Sequence, residues 1–241
     1  MGFTSFIGSI TLILNLFLQM SPIPGMIEGF RKNEIKSMTI GYFMAGITQS
    51  CFWLGYGVCL QDFFVYFPNL PCITLFTIYL NMLIYVKKEY KYFFILNTAI
   101  FLELIFILSS VPEKVCVTSA TLISLVWQTT NAETMRLALK YHSRDYINPQ
   151  VSFVSFTSFF FNSLYAILIH AYIMFIPNCY GALINLTNIF LYYWARGYFS
   201  NDNIIIHILN AILKPENIKD NDTNIKPNID NIDKEQFLNN I

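Results

Sequence analysis

The stretch FIPNCYG, Phe175 to Gly181, decides how the rest of the chain is read. It lies in an apolar run, yet it carries a proline, which removes a backbone donor and breaks a helical ladder. The next residue is an asparagine, whose burial in hydrocarbon without partners costs several kcal/mol. Earlier, YFPNLPC, Tyr66 to Cys72, places the same pair at Pro68–Asn69. Asn69 and Asn178 are 109 positions apart. The same ungapped shift superposes Tyr56 on Tyr165, Phe52 on Phe161, Thr48 on Thr157, Met26 on Met135 and Gln19 on Gln128. So few identities carry little weight by number in a chain this rich in Phe, Tyr, Ile and Leu. Their order carries more, because they fall at equivalent depths of successive apolar segments. A repeated unit is the economical explanation.

Those segments are membrane spans. Hydrophobic residues make up 55% of the 241 and charged residues 12%, where an ordinary soluble domain is about a quarter charged. The mean hydropathy is +0.48. Windows near the bilayer-crossing length of about 20 residues give seven expected spans: Thr4–Ile27, Thr39–Leu60, Phe64–Val86, Tyr92–Val111, Val115–Leu139, Pro149–Ile169 and Tyr172–Trp194. The first is longer than a secretory signal core and lacks a basic leader, so it is expected to be retained. Ten of the eleven basic residues before the tail follow odd-numbered spans, and Lys114 is the exception. By the positive-inside rule the N-terminus is expected outside and the C-terminus in the cytosol.

The expected fold class is therefore an all-α integral membrane protein, its seven transmembrane helices forming two parallel three-helix-bundle repeats joined by a linker helix. The expected divisions are 1–88 for the first repeat, 89–112 for the linker, 113–199 for the second repeat and 200–241 for a disordered cytosolic tail. The tail opens on a short amphipathic piece, IIIHILNAILK. Four crossings separate span one from span five, so both triplets share one orientation about an axis along the membrane normal. Parallel repeats of this kind occur in secondary transporters, with the substrate near the midplane between them.

The paired residues are the candidates for that site. Asn69 and Asn178 each offer two donors and an acceptor, which suits a ligand dense in hydroxyls; the alternative is that they re-satisfy backbone freed by the neighbouring proline. Trp53 lies well inside span two, where its indole either stacks on the C–H face of a sugar ring or packs between helices. Tyr56, one turn on toward the outside, reads as an outer gate. Pro22 and Pro24 in MSPIPGM must kink span one toward the cytosol, which makes Pro22 a candidate hinge. Glu103 sits at membrane depth in the unpaired span, where a helix–helix hydrogen bond is its expected use.

Other chemistries find little support. The five cysteines lie in or at the edges of spans with no CxxC spacing, as small apolar packing residues do. No His, Asp or Glu cluster suggests a metal, no nucleophile–base pair suggests an enzyme, and no cofactor or nucleic acid is expected. Two sequons, at Asn185 and Asn221, fall inside the membrane and in the cytosol and are discounted.

With SPIP ending span one, WLGYG in span two, PN in span three and IPN-CYG in span seven, residues 5–198 resemble the SWEET family of sugar transporters. The resemblance implies bidirectional, facilitative uniport of mono- or disaccharides by alternating access, without ion coupling. It places the family's pocket asparagines at Asn69 and Asn178, the first-repeat pocket aromatic at Trp53, the outer-gate tyrosine at Tyr56 and the first hinge proline at Pro22. The second-repeat pocket tryptophan is replaced by Asn162. The next two hinge positions hold Gly41 and Asn131, and the fourth holds Asn148, with Pro149 one step along. Expected partners are a small sugar, the lipid bilayer and further copies of the chain, since some members form trimers. The expected location is a plasma membrane rather than an endomembrane. Two alternatives share the layout. One is a PQ-loop carrier of amino acids or other small metabolites, although Pro149–Gln150 lies outside that group's usual place and no repeat offers a carboxylate for a charged substrate. The other is a seven-span receptor, although its signature after span three is absent.

Overall fold

The computed structural model of the chain describes residues 2–32, 40–143, 147–200 and 203–213, and the side chains of all of these except 130–134. Every regular element among the described residues is helical: α1 (Phe3–Met20), α2 (Ile23–Arg31), α3 (Ile40–Leu60), α4 (Phe63–Tyr66), α5 (Asn69–Val86), α6 (Lys91–Ser110), α7 (Glu113–Tyr141), α8 (Pro149–Leu168), α9 (Tyr172–Ala195) and α10 (Ile204–Leu213). Helix is the solution the bilayer imposes, because each backbone donor must be satisfied within its own segment.

Prolines set the breaks. Pro22 and Pro24 split the first span into α1 and α2. Pro22 has no N–H to give the carbonyl of Leu18, and the Ser21 hydroxyl donates to that oxygen instead, at 2.7 Å. Pro68 separates α4 from α5, whereas Pro177 stays inside α9. Pro149 occupies the first turn of α8, capped by Asn148, whose Oδ1 accepts from the backbone of Gln150 and Val151. A proline there removes no intrahelical bond, so Pro149 does not kink its span. The hinge expected near it is, in local structure, a helix start.

Six helices among the described residues are long and apolar enough to cross a membrane: Phe3–Arg31, Ile40–Leu60, Phe63–Val86, Lys91–Ser110, Pro149–Leu168 and Tyr172–Ala195. The fifth expected span, α7, has 29 residues, about 43 Å at 1.5 Å per residue. Its length suffices, but Thr118, Ser119, Thr121, Ser124, Gln128 and Thr129 make it too polar to qualify by composition. It packs between α3 and α9 with Ser124 and Gln128 buried, while Leu122 and Val126 face outward. α6 turns Phe94, Ile95, Phe101 and Leu102 outward, as a lipid-facing linker would. A reciprocal amide pair, Asn81 with Asn97, joins it to α5, and Thr48 Oγ1 donates to Glu103 at 3.2 Å from α3.

Shifted by 109 residues, Phe63–Val86 lands on Tyr172–Ala195 and Ile40–Leu60 overlies Pro149–Leu168. α5 packs against α1 and α3, as α9 packs against α7 and α8. The remaining large interfaces, α1 with α8 and α3 with α7, exchange under the same shift. One apolar cluster centres on Phe43, Ile47, Leu80, Leu83 and Ile84. A second gathers Met135, Leu191 and Trp194 with Ile206 of α10. The chain after residue 200 is therefore not uniformly unstructured: its amphipathic opening is a docked helix, while the expected tail beyond residue 213 lies outside the described residues.

Candidate functional site

Between α1, α3, α5, α7, α8 and α9 lies a cavity of about 330 Å³. Asn69, Asn178, Trp53 and Asn162, drawn from separate spans, all line it, and Pro22 stands at its rim. At one end it reaches the exposed Ser21 and Asn148; at the other it stops at Phe64, Val65 and Met174. Tyr56, Gly41 and Pro149 do not line it. The side chain of Asn131 lies outside the described residues.

The two Pro-Asn units use identical local chemistry. Asn69 Nδ2 donates to the carbonyl of Val65 and Asn178 Nδ2 to that of Met174, both at 2.7 Å. A proline at i−1 disturbs the turn in which residue i would bond to i−4, and the amide nitrogen repairs it. No described residue donates to either Oδ1, so each asparagine braces its own helix with one end and keeps an acceptor for the cavity. The structural and ligand-binding readings of these residues are compatible.

Trp53 and Asn162 are equivalent under the 109-residue shift, and so are their partners. The Trp53 indole donates to Ser124 Oγ at 3.1 Å, across α3 and α7. Asn162 forms a reciprocal amide pair with Asn15, at 3.0 and 3.3 Å, across α8 and α1. Ser158 Oγ also donates to Asn15 Oδ1 at 2.7 Å. Shifting 15 and 53 by 109 gives 124 and 162. The exchange of an indole for an asparagine thus keeps a polar link between the halves, but removes the ring face at that position.

Tyr56 lies edge-on to Trp53, ring centroids 5.9 Å apart. The tyrosine that bridges the halves beyond the closed end is its counterpart, Tyr165, whose hydroxyl donates to the carboxylate of Asp62. Phe64 packs edge-on against the same ring. Toward the other end Tyr42 and Phe76, from the first half, approach Trp127 from the second, with centroids 5.4 and 6.4 Å away.

The lining holds more polar groups than the motifs announce. Seven asparagines and three glutamines face the cavity among its described residues, with no charged side chain. Gln19 Oε1, Gln49 Oε1, Gln128 Oε1 and Asn188 Oδ1 are buried without a hydrogen-bond partner. Asn15, Gln49, Asn185 and Asn188 were not anticipated. The available signal was their cost: a carboxamide in an apolar span is expensive unless it has a partner. Asn185, dismissed as an unusable sequon, is 6% exposed and donates to the carbonyl of Gly181. Among the described residues no group of His, Cys, Asp or Glu could hold a metal ion.

Residues 5–91 match the model of a family described as "Sugar efflux transporter for intercellular exchange". No curated protein matched the chain in sequence. In structure it is similar to a eukaryotic SWEET transporter, with a TM-score of 0.70 at 13% identity, covering 80% of this chain and 97% of that one. The resemblance to the SWEET family is borne out by sequence over residues 5–91, and the structural likeness shows the same fold over 80% of the chain. That family is one of transporters, not enzymes.

Proposed function

We propose that this chain is a facilitative sugar transporter, carrying a neutral mono- or disaccharide across the membrane by alternating access of the cavity between its two halves. The observation that carries the reading is the cavity lining: ten carboxamides and two indoles, without a carboxylate or an ammonium among the described residues. Neutral hydroxyls can both donate to and accept from amides, and an indole face suits the apolar face of a pyranose. A charged substrate would enter such a site without a counter-charge and lose its hydration uncompensated.

In this reading Asn69 and Asn178 present their free acceptors from the two halves, Trp53 supplies the stacking surface, and Asn162 replaces a second ring with an amide. The form seen here is open toward Ser21 and Asn148, the side that the positive-inside rule assigns to the cytosol, with the N-terminus outside. Alternating access then requires the contacts near Asp62 to part while the end at Ser21 and Asn148 closes. The break at Pro22 lets α1 and α2 move separately. Among the described residues no carboxylate, imidazole, ammonium or guanidinium lines the cavity, which supports uniport without ion coupling. A plasma-membrane location and a trimeric assembly complete the proposal.

The test is counterflow of radiolabelled glucose in proteoliposomes holding the wild-type chain or Asn178→Ala. Uptake by the wild type that is lost in the folded variant supports both the sugar and the site. Equal uptake removes Asn178 from the site, and no uptake of any hexose or disaccharide by folded wild-type protein overturns the sugar reading.

A further inference from the structure

The repeat pairs Gln19 with Gln128, yet the two glutamines have different lives. Gln19 Nε2 donates to the carbonyl of Pro68 at 2.9 Å, bracing the chain just before Asn69. The equivalent bond from Gln128 would reach Pro177, and it is not made. Gln128 is only 3% exposed and hydrogen-bonds to no described residue, and its Oε1 is buried without a partner. It nevertheless lines the cavity.

A buried carboxamide with no protein partner is costly, and native interiors hold few of them. Space has been made for this one. A Cβ at Gly181 would meet Gln128 Oε1 at 2.6 Å and the Phe159 ring at 2.9 Å; only glycine leaves the notch in which the amide lies. The helix thus accommodates an unsatisfied amide one turn from Asn178, where a shorter or apolar residue would fill the site at less cost.

We propose that Gln128 is a specificity-determining residue: its amide takes one hydroxyl of the transported sugar, and the Gly181 notch gives it room to turn toward that hydroxyl. This rests on the sugar reading above. A hydroxyl satisfies either end of the amide, since it both donates and accepts. A sugar lacking that hydroxyl would leave the amide unpaired, the situation in which polar sites discriminate most strongly. Gln19 is held differently: its nitrogen is tied to Pro68, so only its Oε1 is left unpartnered and its amide is not free to turn.

The test measures transport of glucose and of its 2-, 3-, 4- and 6-deoxy analogues by the full-length chain in proteoliposomes. Wild type is expected to carry one analogue with kcat/KM reduced about tenfold or more relative to glucose, the loss that an unpaired buried polar group produces. Gln128→Leu should bring that analogue to within about twofold of glucose, as expected when the discriminating group is gone. Gly181→Ala, which presses on the same amide without removing it, should shrink the same penalty. Gln19→Leu should lower all substrates alike. A penalty unchanged in folded Gln128→Leu, or in Gly181→Ala should the first variant not fold, overturns the assignment while leaving the sugar reading in place. Wild type that discriminates among none of the analogues also overturns it, and wild type that carries no hexose overturns both.

Discussion

The hydroxyl of Tyr165 donates to both oxygens of Asp62, at 2.9 and 2.8 Å, and ties α8 to the loop between α3 and α4. Tyr165 is 2% exposed, with Phe64 packed edge-on against it. The link joins the two halves beyond the end of the cavity that stops at Val65 and Met174. Its mirror cannot form, because Ala171 stands where the 109-residue shift would bring a counterpart of Asp62. The closure at this end is therefore one-sided.

Breaking it should bias the molecule toward the opposite opening. A hydrogen bond to a charged group contributes roughly 1.5–3 kcal/mol, which shifts a two-state equilibrium by about tenfold or more. In Tyr165→Phe, a single cysteine placed at Val65 in a cysteine-free background should be alkylated faster by an impermeant reagent applied on the Asp62 side. An unchanged rate would mean that other contacts hold this end shut.

Pro22→Ala should restore a backbone donor to the carbonyl of Leu18 and let α1 run into α2. Transport is expected to fall several-fold while substrate affinity changes little, because the site residues keep their places. Full transport by the variant would remove the break at Ser21–Pro22 from the rocking motion.

Trp53 combines a ring face with a tether. Trp53→Phe keeps an aromatic face and loses the bond to Ser124, a cost of roughly 0.5–1.5 kcal/mol in stability. Affinity for sugar should change by less than about tenfold, within the range of such a bond. Trp53→Ala removes both, and transport should disappear. Equal affinity in all three proteins would leave Trp53 a packing residue.

Asn15 and Asn162 act as a unit. Thermal unfolding of Asn15→Ala, Asn162→Ala and the double variant should show a coupling of roughly 0.5–3 kcal/mol, as for residues in one hydrogen-bond network. Strict additivity would argue that the amide pair contributes nothing across the interface.

Glu103 accepts from Thr48 on the linker helix and does not line the cavity. Glu103→Gln should transport as wild type does, and an imposed proton gradient should not drive accumulation in either. Sugar accumulated against its gradient would replace uniport by coupled transport.

Much of the architecture follows from order along the chain. Low charge and a succession of long apolar runs demand helices in a bilayer, because no other local structure satisfies the backbone there. The recurrence of Pro-Asn at a fixed interval locates two equivalent helix breaks, and those asparagines do line the cavity. The local meaning of a proline also depends on what precedes it, which is why Pro149, capped by Asn148, opens a helix where Pro22 interrupts one. What the linear order leaves open is pairing between distant residues. Whether Asn162 meets Asn15, whether Tyr56 or Tyr165 finds an acid, and whether Gln19 or Gln128 keeps a free amide all turn on sub-ångström placement of helices from different halves. Each half has nearly the same periodicity, so sequence spacing treats such partners as equivalent. Only packing separates them, because a hydrogen bond exists or fails within a few tenths of an ångström.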